Sequence, residues 1–461
     1  MSAFRRTLSL LATFFLIAFL MGGVTFLAQE YLPGPLKPKF LKPAPQPLTL
    51  NTAERMLSLL DKNYIHPLDE RKLFLAAIKN LKEILKAEKL DATLVPELVE
   101  GQDRKVLLAS LRTSLDSARL VAGAKITEQK LLYAALRGLV AGLDDPYCTL
   151  FDPAEYKHFD EQMNGGNFGG IGVYMESDRN HENRLTVVEP IEGTPAFEAG
   201  LKEGDVIEKI DGKETKGWEI EKAVGFIRGE EGSAVKLGIF RPSAPSHFEV
   251  TVKRAKIHAR SVSSRFLKES YGYIRIRLFG EETDQEFHQE LDKMVKKGAK
   301  GLIIDLRNNG GGYVAAAIEI CSHFVAKDKT IVSVVNGRTG RHDAYPASRA
   351  DQIRMPVVLL VNRFSASASE ITAGALKDYK IATLVGEKTF GKASVQQVEK
   401  LADGGALKYT IAHYLTPNGR DIHKRGISVD IEVKVAAEDK VDKGLEAGEK
   451  QLQGLIDSAK H

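Results

Sequence analysis

The stretch Val361–Asp378, VNRFSASASEITAGALKD, carries three hydroxyls at alternate positions, Ser365, Ser367 and Ser369, between an apolar run and a helix-forming run. A serine at such a strand-to-helix turn is placed to act as a nucleophile. The helix N-terminus supplies free backbone N–H groups and the positive end of the macrodipole to a developing oxyanion. Ser367 is the middle hydroxyl, and the amide of Ala368, directly after it, is the first oxyanion donor expected. A second turn, DLRNNGGG (Asp305–Gly312), follows another apolar run and would bring an amide from Gly311 or Gly312 to the same sheet edge. Asp305 and Arg307 are expected to fix that turn rather than to take part in chemistry.

A serine hydroxyl needs a base. His413 is the nearest downstream histidine, but it lies inside ALKYTIAHYL, an alternating strand pattern with no turn to project it, and reads as a structural residue. Lysine is the other choice, used in Ser-Lys hydrolases on unrelated folds. The glycine-rich GEKTFGKASVQQ (Gly386–Gln397) offers Lys388 and Lys392. Lysine serves as a base only where desolvation leaves a neutral amine near neutral pH. Lys392 is preferred because Gln396 follows four residues on. At helical spacing that would set the amide oxygen beside the amine, so the pairing requires a turn of helix here; in a strand the two would be about 13 Å apart.

These turns need a scaffold of buried strands. GLIIDLR and PVVLLVN are continuous apolar runs, as in strands covered on both faces, and they alternate with helical patterns from about Tyr271. The α/β core therefore spans 258–435, with a charged helix over 436–461. Before it, 161–257 reads as a compact β module: short strands, the Asp-Gly hairpin signal in KIDGKE, and the helix EIEKAVGFIRG. Upstream again, 51–160 is helical by period, with Leu73, Ala77, Leu81 and Leu85 at spacing four. Residues 31–50 hold six of the 17 prolines and read as a stiff tether.

The β module resembles a PDZ domain over its whole length, most clearly in AGLKEGDVIEKIDG (Ala199–Gly212). GGIGV (Gly169, Gly170, Ile171, Gly172, Val173) takes the place of the carboxylate-binding loop. Glycines let successive N–H groups converge on an anion, and the following strand edge suits an extended peptide. Arg228, at the end of the module's helix, has two readings: a cation closing the helix C-terminus, which electrostatics favours, or a link from tail binding to the serine site.

SASASEITAGALKD, GEKTFGKASVQ, DLRNNGGG and LTPNGRDIHKRGISVD together look like the carboxyl-terminal processing peptidases, also called tail-specific proteases, over about Leu131–Val433. One departure is Cys148 in DPYCTLF, where serine is usual. The resemblance implies a multidomain α+β chain with a PDZ module ahead of a crotonase-like α/β protease core. It implies Ser367 as nucleophile, Lys392 as base and Gln396 as its support, with no cofactor and no metal. The expected partners are protein or peptide substrates with free apolar C-termini, with room left for a homo-oligomer. A tail-binding adaptor or chaperone without proteolysis is the alternative from another class; it would need no coordinated serine, lysine and glutamine. An acyl-thioester enzyme on the same architecture fits an exported location poorly.

Composition limits the remaining classes. The chain has 461 residues, enough for about three domains, with 65 basic against 61 acidic residues and no long basic block, so nucleic acid is not an expected partner. Two cysteines, Cys148 and Cys321, make no disulfide framework, and the 11 histidines form no metal motif. At the N-terminus, Arg5 and Arg6 precede an uncharged stretch, Thr7–Ala28, long enough to span a bilayer. Residues 1–30 are therefore expected to anchor the chain in a bacterial inner membrane with the rest outside the cytoplasm; a cleaved signal peptide is the alternative.

Overall fold

A computed structural model describes residues 46–101, 103–163, 168–178, 184–257, 260–434 and 441–459. The expected anchor lies outside them; no described helix is long and apolar enough to cross a membrane.

The core is built on a six-stranded sheet in the order Val262–Leu267, Tyr271–Ile276, Gly301–Asp305, Val357–Val361, Ala382–Gly386, Ile431–Glu432. Its first pair is antiparallel and the rest are parallel. Gly301–Asp305 and Val357–Val361 are buried at every position, as their unbroken apolar runs require. One face packs against Phe287, Leu291, Ile320 and Leu376 from three helices. The other is covered by Leu452 and Ile456 of the C-terminal helix Lys443–Ser458. That helix begins later than the charge pattern suggests, because Asp442 caps it by accepting from Leu445 N at 2.9 Å.

Parallel strands all end at one sheet edge, and three neighbours in this sheet deliver the three motifs. Gly301–Asp305 runs into the glycine turn, Val357–Val361 into the serine turn, and Ala382–Gly386 into the lysine segment. Their convergence follows from strand order alone.

A second sheet joins Thr149–Phe151, Ala406–Leu415, Thr330–Asn336 and His342–Pro346, with Ser394–Lys400 also paired to Ala406–Leu415. Thr149–Phe151 belongs to the helical region in sequence yet pairs with Ala406–Lys408 in the core. The helical region is therefore part of the core's packing. Its helices Leu50–Asn63, Glu70–Ala87, Arg104–Ala122 and Glu128–Ala141 bury Leu73, Ala77, Leu81, Leu85, Leu132, Leu136 and Val140 in one cluster with Leu407 and Tyr409.

The β module carries its own sheet, in the order Val173–Asp178, Arg184–Pro190, Val206–Ile210, Ala234–Arg241, Ser246–Lys253, around a core of Ile171, Leu185, Val187, Ile207, Leu237 and Ile239. Val173–Asp178 is an edge strand, and helix Ile220–Ile227 packs beside it.

Candidate active site and tail-binding groove

Only one of the three serines is available for chemistry. Ser365 Oγ donates to Leu306 O at 2.8 Å and accepts from Asn362 N at 2.9 Å. Ser369 Oγ donates to Asn309 O at 2.9 Å. Both hydroxyls stitch the serine turn to the glycine turn. Ser367 instead lines a cavity of about 710 Å³ shared with Gly310, Gly311, Gly312, Lys392, Ser394, Gln396 and Lys408. Its backbone sits at φ 56°, ψ −116°, a conformation that costs a non-glycine residue on the order of 1–3 kcal/mol. The turn holds that strain in place to aim the side chain out at the start of helix Ala368–Asp378.

What holds the turn is Glu370, a fully buried carboxylate. Its Oε2 accepts from Ser367 N at 3.0 Å and Lys392 N at 2.8 Å. Its Oε1 accepts from Thr389 Oγ1 at 2.6 Å and Gly391 N at 2.7 Å. One side chain thus ties the serine turn to the lysine segment. Burial pushes this carboxyl up while the four donors pull it down, and burial is the larger effect. Tyr414 adds a second tie, its hydroxyl 3.0 Å from Ser367 O and 2.7 Å from Lys392 O. The motif reading passed over Glu370, although Ser-x-x-Glu is the sequence sign of a capping box.

Lys392 is largely buried, and burial, followed by the charge of Lys408, holds its ammonium below the ordinary lysine range, against smaller opposing pulls from Asp145 and Glu370. Its Nζ lies 4.8 Å from the centre of the Tyr147 ring and is paired with no carboxylate among the described residues. A lysine so placed yields a neutral amine at lower pH than a solvated one.

The expected turn of helix between Lys392 and Gln396 is absent: Ser394–Lys400 is a strand with a bulge between Val395 and Gln396. Pairing to Ala406–Leu415 overrides the spacing argument. Gln396 reaches the same cavity as Lys392, but its Nε2 donates to Ser394 Oγ at 2.8 Å rather than meeting the lysine. Hydrogen bonds among the described residues join Lys392 Nζ to neither Ser367 nor Gln396. His413 stands apart from this cavity, its ring stacked 4.7 Å from that of His423.

The two glycines differ. Gly311 N donates to Asn309 Oδ1 at 2.9 Å, so its amide is occupied. Gly311 O accepts from Phe279 N at 3.0 Å, which turns the Gly312 N–H, on the same trans peptide, the opposite way. Gly311 lies against the nucleophile: a methyl group there would come within 2.6 Å of Ser367 Cβ and 2.9 Å of Ala368 N. Ala368 N has no hydrogen-bond acceptor among the described residues. Asp305 helps fix the turn, its Oδ1 accepting from Arg307 N at 2.9 Å; Asn309 fixes it as well, its Nδ2 donating to Ile276 O at 2.8 Å and its O accepting from Ala366 N at 3.0 Å. Arg307 also anchors the C-terminal helix, its Nη1 donating to Asp442 Oδ1 at 2.7 Å.

In the β module, carbonyls of the Gly169–Val173 loop face the protein. Gly169 O accepts from Gly229 N, Ile171 O from Ala196 N, and Gly172 O from Ile191 N. Planar trans peptides then turn the amides of Gly172 and Val173 away from those partners, at the start of the edge strand, while Gly170 belongs to a short strand paired with Ala255–Ile257. Gly172 sits at φ 78°, where an added methyl would strike Thr194 at 2.3 Å.

Arg228 closes its helix through its backbone, its N–H donating to Val224 O at 2.8 Å. The guanidinium on the helix's last carbonyls is that of Arg254, donating from Nε to Ile227 O at 2.7 Å and from Nη2 to Phe226 O at 2.8 Å. Arg228 Nη1 leaves the module and donates to His158 Nδ1 at 3.0 Å, with Glu161 at 3.8 Å. Both partners lie on helix Pro153–Met163, whose Tyr156, Phe159, Asp160 and Met163 line the Ser367 cavity. Arg228 therefore sits at the helix end, as the simpler reading expects, while its guanidinium also reaches the helix that lines the cavity.

Comparison with known proteins agrees with this anatomy. Residues 270–433 match the model of peptidase family S41, and 169–252 match a PDZ domain. The chain is 38% identical over 311 residues to the carboxy-terminal processing protease CtpA of Bacillus subtilis, covering 68% of this chain and 66% of that one. It is 37% identical over 313 residues to CtpB of the same organism, covering 67% and 64%. The match thus spans just under two thirds of these relatives' length. Among solved structures, a photosystem II D1 C-terminal processing protease is 27% identical, with a TM-score of 0.48 over 89% of this chain and 98% of that chain. With the motifs in family order, on strands that bring them to one sheet edge, the chain belongs to peptidase family S41.

Proposed function

We propose that this protein is a serine endopeptidase that selects substrates by their C-terminal tails and cuts them with Ser367 and Lys392. The observation that carries the reading is the cavity in which a strained, outward-aimed serine meets a desolvated lysine without a counterion. Ser367 Oγ attacks the peptide carbonyl carbon and its proton passes to Lys392 Nζ. The oxyanion is held by the N–H groups of Ala368 and Gly312. Lys392 returns the proton to the leaving amine, then takes one from the water that hydrolyses the ester. Gln396 supports from the cavity wall, and Gly311 shapes the turn rather than donating.

The PDZ module takes the free carboxylate on the amides of Gly172 and Val173, and the apolar tail pairs with the edge of Val173–Asp178. Arg228 connects that module to the helix that lines the cavity. The place of work is the cell envelope, with Thr7–Ala28 as anchor; membrane fractionation that recovered only soluble, shortened protein would favour a cleaved signal.

The test is turnover of an unstructured protein with a free apolar tail. Ser367→Ala and Lys392→Ala should each abolish cutting while tail binding persists, and amidating the tail should weaken both. Near-normal turnover by Ser367→Ala would refute the assignment; intact tail binding with no turnover by the unmodified protein would favour the adaptor reading.

A further inference from the structure

The cavity holds a second lysine that the scheme above does not use. Lys408 lies within strand Ala406–Leu415, paired to Val398 on one side and Thr149 on the other, so its backbone is fixed from both flanks. Its Nζ lies 5.3 Å from the centre of the Phe151 ring and 5.5 Å from that of Phe159. These rings stack on each other at 5.0 Å. Aromatic faces stabilise a cation without neutralising it. Among the described residues neither Lys408 nor Lys392 is ion-paired to a carboxylate. Two lysines thus share one partly desolvated space, and only one of them must be neutral for the reaction to run.

We propose that Lys408 is a positioning residue acting by charge: its ammonium, fixed over Phe151 and Phe159, makes a second positive charge in the cavity unfavourable, so that Lys392 gives up its proton. This rests on the reading of Lys392 as base. The other charged groups facing Lys392 are Asp145 and Glu370, which favour its protonation. Both are engaged elsewhere: Asp145 accepts from Tyr147 N at 2.9 Å, and Glu370 holds its four donors. Burial holds Lys408 too below the ordinary lysine range, against smaller opposing pulls from Cys148 and Asp145. Tyr156, Asp160 and Tyr313 complete the titratable lining. Lys392 has one aromatic face and Lys408 has two, so the proton is lost first from Lys392.

A like charge lowers the affinity of its neighbour for a proton, so removing it must raise that affinity. The experiment is the pH dependence of kcat and kcat/KM for the full chain, on a peptide with a free C-terminus and no titratable side chain. Lys408→Met keeps the stem and removes the charge. It should move the rising limb to higher pH by on the order of one unit. The loss, about tenfold at neutral pH, should shrink as pH rises, and Lys408→Arg should return the limb towards that of the unmodified protein. A loss by the same factor at every pH, or an unmoved limb, would overturn the proposal. Lys408→Gln gives the same reading should the methionine variant not fold. If turnover survives Lys392→Ala, the assignment of the base fails, and this inference with it. If the limb depends on Lys392 but ignores Lys408→Met, this inference alone fails.

Discussion

Replacing Glu370 with glutamine changes one atom type and should nearly silence the enzyme. The carboxylate accepts four hydrogen bonds, two on each oxygen, from Ser367 N, Lys392 N, Gly391 N and Thr389 Oγ1. An amide keeps one oxygen and therefore two of these bonds; its NH₂ end points donors at donors. Hydrogen bonds to a charged group contribute roughly 1.5–3 kcal/mol each, so the loss is about 3–6 kcal/mol, concentrated where the serine turn meets the lysine segment. Whichever way the amide is turned, it abandons both backbone ties on Oε2 or the whole grip on the Thr389–Gly391 turn. A displacement of about 1 Å in a reacting group costs on the order of a hundredfold in rate. We therefore expect kcat for a tailed peptide to fall about a hundredfold or more, with KM and tail affinity for the PDZ module little changed. Thr389→Val, which removes one donor, should fall between. Steady-state kinetics beside circular dichroism and thermal unfolding separate the two consequences. A folded Glu370→Gln protein that cuts at the normal rate would show that the clamp does not position the site.

Gly311→Ala should abolish turnover and lower the melting temperature, because the new methyl meets Ser367 Cβ and Ala366 O inside contact distance at a φ of 104°; an active alanine variant would refute the packing argument. Lys392→Met should be inactive yet raise the melting temperature at neutral pH. The depressed lysine means that the folded state disfavours the charge, so the fold is penalised below the depressed value and relieved as pH rises through it. By the same sign, the activity of the unmodified protein should rise with pH and reach half its plateau below the ordinary lysine value of about 10.4; a midpoint at or above that value would exclude a desolvated base. Arg254→Met strips two charged capping donors from helix Ile220–Ile227 and should destabilise the PDZ module by about 3–6 kcal/mol, read as lost tail binding on warming with the peptidase core still folded.

Strand order explains why so much of the site was legible. The apolar runs before the glycine, serine and lysine turns are buried parallel neighbours, so the three runs alone bring the three candidate turns to one sheet edge. The PDZ loop was legible for a similar reason, since glycine spacing reports where a backbone must approach its neighbour closely. Reasoning from i to i+4 spacing failed at Lys392–Gln396 because helical period is a local preference, and this segment pairs instead with a strand that closes the second sheet. At Arg228 the sequence conveyed the helix end but not the side chain's reach: its partners are 70 and 67 residues away, on a helix outside its own module, and the guanidinium on the last carbonyls is that of Arg254. Glu370 differs from these, because its capping-box signal is local and was available. What the signal could not convey is that the same carboxylate also holds Gly391 and Lys392, a contact made only after two parallel strands have been laid side by side. In this chain the reactive groups are written into turns, whereas the residues that hold them are set by tertiary pairing.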